Sequence, residues 1–278
     1  MFDAGRPGPA VHALESAVAQ EVDDAAAWYA LGQAHAEMED DSQAIACLEA
    51  AVRADPHDLH ALLQLGVSYL NERMDRQALR CLRAWVECNP AMAAAGVHVQ
   101  SAPSAPAGSP AEGRRMAFDE LLALMRQVEA AAPGDPEVLG VLGVVFNLTK
   151  ELDAAEAVLR RAVELQPKNH VLWNRLGATV NNSGRPADAV PAYQEAVRLR
   201  PTFARGYFNL GISLFDSDRH MQSVRAFARA LQLNPNAAHI WSHVRVALSV
   251  AEEFDLVDAC GPEDVDTFVK ALQERTSK

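Results

Sequence analysis

Six prolines mark this chain of 278 residues at a spacing that is the same in all but one interval. Pro56, Pro90, Pro133, Pro167, Pro201 and Pro235 follow one another at intervals of 34, 43, 34, 34 and 34 residues. Repetition at a fixed period of this size implies like units that bury their apolar faces by stacking on their neighbours. The content of each window repeats with the period. From Ala25 the chain reads Trp28, Leu31, Gly32, His35, Ala44, Leu48, Ala51, Pro56, and from Leu59 it reads Leu62, Leu65, Gly66, Tyr69, Ala78, Leu82, Trp85, Pro90. Pro136 begins Leu139, Leu142, Gly143, Phe146, Ala155, Leu159, Ala162, Pro167, and His170 begins Trp173, Leu176, Gly177, Val180, Ala189, Tyr193, Ala196, Pro201. A fifth window from Ala204 reads Tyr207, Leu210, Gly211, Leu214, Ser223, Phe227, Ala230, Pro235, with Ser223 its one weak position.

This is the spacing and signature of the tetratricopeptide repeat, two antiparallel helices in 34 residues. Each residue type answers a packing need. The eighth-position Gly and twentieth-position Ala mark where the two helices come closest. The large residues at positions four, seven, eleven and twenty-four fill the space between helices, and the Pro ends the second helix. The expected fold is all-α: a tetratricopeptide-repeat superhelix in two blocks with an irregular hinge repeat and carboxy-terminal capping helices. Its expected division is 1–24 as an amino-terminal capping helix (Ala10 to Asp23), 25–92 as the first block, 93–135 as connector and incomplete repeat, 136–235 as the second block, and 236–278 as a helical cap.

The irregular interval is a composition break. Ala93 to Arg115 holds seven Ala, three Pro, three Ser and three Gly in 23 residues, which predicts a flexible connector, and Met116 to Ala132 then reads as one amphipathic helix. At the far end Trp241 falls where a sixth window would place its bulky residue, but Arg245 stands in place of the Gly and no closing Pro follows. That pattern predicts capping helices.

Composition narrows the function classes. With 25 Lys+Arg against 37 Asp+Glu the net charge is −12, which repels phosphate backbones and anionic lipid, so neither nucleic acid nor a membrane surface is an expected partner. No run reaches the ~18 apolar residues of a membrane span, and Met1 to Pro9 has no apolar signal-peptide core. Cys47, Cys81, Cys88 and Cys260 form no CxxC pair and read as buried free thiols of a reducing compartment, the cytosol.

In a stack of helical pairs the first helices line the concave side, so positions two, five, six, nine, twelve and thirteen face a groove. The thirteenth position carries Glu37, Asn71, Asn182 and Asp216; position five of one window gives Asn174; positions two and six of the last give Arg205 and Asn209. Asn is a poor residue for a helix interior, yet its amide offers two donors and an acceptor at short reach. Such groups suit the main chain of an extended peptide, and an Arg supplies the charge that a free carboxylate wants.

Asn169 to Ser213, with GVVFNL before it, VSYLNE around Asn71 and IWSHVRVALS near the end, resembles the carboxy-terminal receptor domain of the peroxisomal import receptor. The resemblance covers nearly the whole chain. It implies a receptor for the type 1 peroxisomal targeting signal, the terminal Ser-Lys-Leu and its variants, in peroxisomes or glycosomes. It carries the family's peptide contacts onto Asn71, Asn174, Asn182, Arg205 and Asn209, which periodicity alone also places in the groove. Where it implies a further asparagine the chain has Asp216, a carboxylate that would repel the signal's own terminus unless Arg205 or a water lies between them. The implied pocket for the terminal leucine includes Val67 and Leu70, and the signal's lysine would meet acids such as Glu37 or Glu72. The resemblance also implies a cytoplasmic protein that cycles to the peroxisome or glycosome membrane through docking partners. Those partners are met by Trp-x-x-x-aromatic motifs, which none of the four tryptophans here forms, so the chain reads as the cargo-recognition portion.

Other signals are weaker. His239 and His243 stand four apart on a predicted helix without a third metal ligand, and the HExxH pattern is absent. No phosphate loop or nucleophile arrangement can be placed, so neither an enzyme nor a cofactor is expected. The alternative binding class is a co-chaperone module for the acidic tails of heat-shock chaperones, which needs cations where the first two windows offer Tyr29 and Gln64. A scaffold for a partner's helix would be indifferent to a free carboxylate.

Overall fold

The computed structural model describes residues 8–38, 40–97, 110–258 and 265–276. The secondary structure of these residues is helical throughout. After α1 (Gly8–Gln20) come two hairpins, α2 (Ala25–Glu37) with α3 (Asp41–Ala54) and α4 (Leu59–Asn71) with α5 (Asp75–Cys88), then α6 (Pro90–Ala94) and α7 (Pro110–Ala131). Three more hairpins follow: α8 (Pro136–Thr149) with α9 (Leu152–Leu165), α10 (His170–Asn182) with α11 (Pro186–Leu199), and α12 (Ala204–Phe215) with α13 (His220–Leu233). The chain closes with α14 (Ile240–Val250), α15 (Phe254–Asp258) and α16 (Val265–Thr276). Every window begins on the first residue of its first helix.

The eighth-position glycines determine how closely each pair packs. A Cβ on Gly32, Gly66, Gly143, Gly177 or Gly211 would lie 2.8, 2.9, 2.4, 2.8 or 2.5 Å from Leu48, Leu82, Leu159, Tyr193 or Phe227 respectively. The close partner is thus the bulky residue at position twenty-four, which seats its side chain on the bare glycine. The expected small residue at position twenty still matters: Ala44, Ala78, Ala155 and Ala189 are fully buried. Ser223 fills the same place without penalty because its hydroxyl donates to the Gly211 carbonyl at 2.7 Å.

Helix ends are set by local chemistry. Asp58, Asp135 and Asn169 cap α4, α8 and α10 by accepting from backbone N–H groups of the first turn. Five second helices or their equivalents stop two residues short of the proline, because the residue before proline is pushed out of the helical region. Asp55, Asn89, Gln166, Arg200 and Asn234 accordingly have ψ between 71° and 112°. The turn within four of the hairpins has a left-handed residue at position fifteen, and glycine supplies it once, at Gly184; Arg73, Lys150 and Asp218 hold φ of 60°, 66° and 59°. Glu252, at φ 60°, keeps the same turn after α14. The sixth window therefore retains its first helix and its turn, and departs from the pattern only beyond them.

Cα packing separates two units: one built on Ala13–Ala36 and Asp40–Pro167, the other on Lys168–Lys278 with Met1–His12 and Glu37–Glu39. The third repeat, expected to belong with the second block, groups instead with the first two, since α8 packs on α4 and on α7. Helix α7 also begins at Pro110 and not at Met116, because proline at the first helical position starts a helix as readily as it stops one. At the front of the expected connector, α6 includes Ala93 and Ala94, and Val97 is buried. Residues 98–109 lie outside the described residues, as does Cys260. Cys47 is a buried free thiol, and Cys81 and Cys88 are half-buried ones. In the carboxy-terminal unit Phe227, Trp241, Phe268 and Leu272 form one core, with Trp241 edge-on to Phe268 at 5.4 Å, so α14 and α16 cover the last repeat.

Gly143→Ala should force Leu159 off its seat, an overpacking effect of about 1 to 3 kcal/mol, which lowers the melting temperature by roughly 2 to 12 °C. A Cβ on Gly134 meets nothing within 4 Å, so Gly134→Ala should stay within about 2 °C of the parent. Equal melting temperatures for the two variants would contradict this account of the close approach.

Candidate functional site

The carboxy-terminal unit places its first helices side by side, and one register rule governs what they share. A side chain at position five lies between positions two and six of the next repeat. Phe208, at position five, meets both His239 and His243 with ring centroids 5.3 Å away. Tyr29 meets His60 at the same 31-residue separation, 6.3 Å between centroids.

Asn174 occupies position five of α10, and the Asn209 amino group at position six of α12 donates to its Oδ1 at 3.0 Å. Asn174 is 8% exposed, so this amide pair is largely withdrawn from water. The bond fixes the orientation of Asn174 and leaves its own amino group and the Asn209 carbonyl oxygen as the remaining donor and acceptor of the pair. Arg205, at position two of α12, is half-buried and lies one turn before Asn209 on the same helix. Two of the sequence-predicted residues are thus bonded to each other, with Arg205 one turn away on the same helix.

The others lie apart from them. Asp216 caps the far end of α12 and is exposed. Eleven residues at 1.5 Å each separate it from Arg205 by about 16 Å, so the two do not attend one carboxylate. Asn182 is exposed at the end of α10, about 12 Å along the axis from Asn174. Its neighbour Asn181, which the periodicity does not single out, is bound across to the next repeat: its Oδ1 lies 3.0 Å from Ser213 Oγ, which is also 2.9 Å from the Pro186 carbonyl. Glu37, counted with this unit, already accepts from Arg200 Nε and Nη2 at 3.3 and 3.2 Å and lies 3.4 Å from His170 Nε2. Burial raises its carboxyl pKa, but the His170 and Arg200 contacts together outweigh burial and hold it below the usual range. It is therefore committed to partners within the chain.

In the amino-terminal unit Val67 and Leu70 are core residues, 3% and 0% exposed, while Asn71 and Glu72 are exposed at the end of α4. Tyr69 beside them donates its hydroxyl to Glu49.

Among the described residues no group of three or more His, Cys, Asp or Glu could hold a metal, and no helix is long and apolar enough to cross a membrane.

Family models described as tetratricopeptide repeat match residues 1–64 and, for a second model, 37–93, 118–170 and 182–238. The chain belongs to the tetratricopeptide-repeat family. It is 38% identical over 193 residues, 69% of its length, to the peroxisomal targeting signal 1 receptor of Dictyostelium discoideum. It is 40% identical over 67 residues, 24% of its length, to the peroxisomal targeting signal receptor of Kluyveromyces lactis. The matched stretches are 30% and 12% of those proteins, so this tetratricopeptide chain spans less than a third of either. Among solved structures, YrrB, described as a TPR protein with an unusual peptide-binding site, covers 87% of the chain at 15% identity and a TM-score of 0.42, with 99% of YrrB covered.

The buried amide pair makes a stability prediction. Asn209→Ala strands the Asn174 carbonyl oxygen and should cost about 1 to 3 kcal/mol in urea denaturation, whereas Asn182→Ala, at an exposed site, should stay within about 0.5 kcal/mol. Two equal shifts would remove the distinction drawn between these asparagines.

Proposed function

We propose that this chain is a receptor that binds the carboxy-terminal Ser-Lys-Leu-type signal of peroxisomal or glycosomal cargo proteins. The observation that carries the reading is the Asn174–Asn209 amide pair with Arg205 one turn away on α12. A helix gains nothing in propensity from two asparagines, and burying one of them is unfavourable unless its hydrogen bonds are made. A pre-oriented amide with remaining donor and acceptor capacity suits an extended peptide main chain, which presents the complementary groups at the same scale. The Arg205 guanidinium supplies a forked donor for the free carboxylate that ends such a peptide. The similarity to peroxisomal targeting signal receptors supports the choice of this ligand over other terminal peptides.

In this reading Asn174, Arg205 and Asn209 are the peptide contacts of the carboxy-terminal unit, and Asn182 and Asp216 border the same face at the opposite helix ends. The function is binding, without a catalytic step. A cytosolic receptor cycling to the organelle membrane through docking partners belongs to the same proposal.

Asn174→Ala should weaken binding of a Ser-Lys-Leu peptide by about 5- to 150-fold in fluorescence anisotropy, the equivalent of leaving buried polar groups unpaired at about 1 to 3 kcal/mol. Amidation of the peptide terminus should reduce affinity in the parent and have less effect in Arg205→Gln. An Asn174→Ala protein that binds as the parent does would overturn the site, and equal affinity for acid and amide would overturn the role of Arg205.

A further inference from the structure

The face that holds Asn174, Arg205 and Asn209 does not end at α12. Phe208 stands on α12 three residues after Arg205 and next to Asn209, and its ring contacts two imidazoles, those of His239 and His243. His239 meets it edge-to-face at 5.3 Å and 83°, and His243 at 5.3 Å and 74°. Phe227 supports His243 from beneath at 5.6 Å. His239 is exposed, while His243 and Phe208 are half-buried, so the cluster opens to solvent on one side.

We propose that His239 and His243, packed against Phe208 one turn along α12 from Arg205, form an anion subsite that takes a carboxylate of the bound polypeptide when the imidazoles are protonated. This rests on the peptide-receptor reading and adds to it a charge that the groove acquires only with a proton.

The geometry favours this chemistry over metal binding. Both rings pack on one phenyl group, and among the described residues no group of three or more possible metal ligands forms around them. The phenyl contact tolerates the imidazolium form, because an aromatic quadrupole attracts a nearby cation. The charged groups on the elements packed around the rings are Arg205 and, at the far end of α12, Asp216; Arg225 and Arg229 of α13, the latter over Tyr207; Arg245 of α14; and Asp255 of α15. Burial first, and then the neighbouring His239, lower the pKa of His243. His243 is thus neutral in the unliganded groove at pH 7, and a carboxylate placed beside its ring would offset both effects and draw a proton in. Binding and protonation are then linked, and a lower pH favours the anion-bound state. The sign for the free protein is opposite: with its pKa lowered by folding, His243 favours the native state above about pH 6.5 and loses that contribution as pH falls.

The source of the carboxylate, the peptide terminus or an acidic side chain before it, is read from the ligands. Anisotropy titrations of the full chain at pH 8.0, 7.0 and 6.0 would use a Ser-Lys-Leu free acid, its amide, and an amide with a glutamate placed upstream. Between pH 8.0 and 6.0 the free acid should tighten by about three- to tenfold, within the limit of one proton per pH unit. The slope of log Kd against pH should flatten in His243→Gln and in His239→Gln and persist in His220→Gln. A slope carried by the glutamate amide and not by the free acid would assign the subsite to a side-chain carboxylate. Binding of the free acid with no slope for it or for the glutamate amide, or a slope that survives both histidine variants, would overturn the subsite and leave the receptor reading standing. Loss of all binding at every pH would remove both.

Discussion

The contact on which the rest of this structure depends is a bare glycine against a bulky side chain, made once in every repeat. Leu48, Leu82, Leu159, Tyr193 and Phe227 each close on a glycine eight residues into the window, at distances where no Cβ could stand. That approach fixes how far apart the two helices of a pair lie. Because it recurs every 34 residues, it also fixes the register between successive first helices. Position five meets position six of the next repeat as a consequence. The Asn174–Asn209 pair and the Phe208–His243 pair are the same contact, 35 residues apart in each case, written first in amides and then in rings.

What could be read in the sequence follows from how local each signal is. Window starts agree with helix starts because capping aspartates and asparagines, glycines and prolines act within a few residues. The left-handed turn residue is invisible to pattern, since Arg73, Lys150 and Asp218 hold it where only a glycine such as Gly184 signals it. The start of α7 is hidden in the same way: composition marks the Pro-, Ser- and Gly-rich stretch as a connector, although Pro110 sits where a helix begins. The grouping of the third repeat with the first two is a matter of packing between elements far apart in sequence, which periodicity does not encode.

The site divides along the same line. Periodicity alone identifies the face on which a residue lies, and it placed Asn174, Asn182, Arg205, Asn209 and Asp216 together for that reason. Position along the helix axis then separates them, since eight or eleven residues amount to about 12 or 16 Å. Burial distinguishes them further: Asn174 is enclosed, while Asn182 and Asp216 stand in water. Glu37 had the right sign for a cationic ligand, but Arg200 and His170, distant in sequence, already satisfy it. No single-sequence pattern could have revealed that pairing.

The charge balance of the chain bears on how such a face could capture an anion at all. A net charge of −12 repels carboxylates at long range, yet at physiological ionic strength the screening length is about 8 Å. Within that distance the response of a bound carboxylate is decided by the groups it touches and not by the total. In the proposed reading Arg205 is the permanent cation on the face, and the imidazoles of α14 are conditional ones. The neutral amide pair would then impose no charge of its own and bind peptide groups without competing for the carboxylate. Under that proposal the local cations select a ligand that brings both a main chain and a carboxylate to the same few residues.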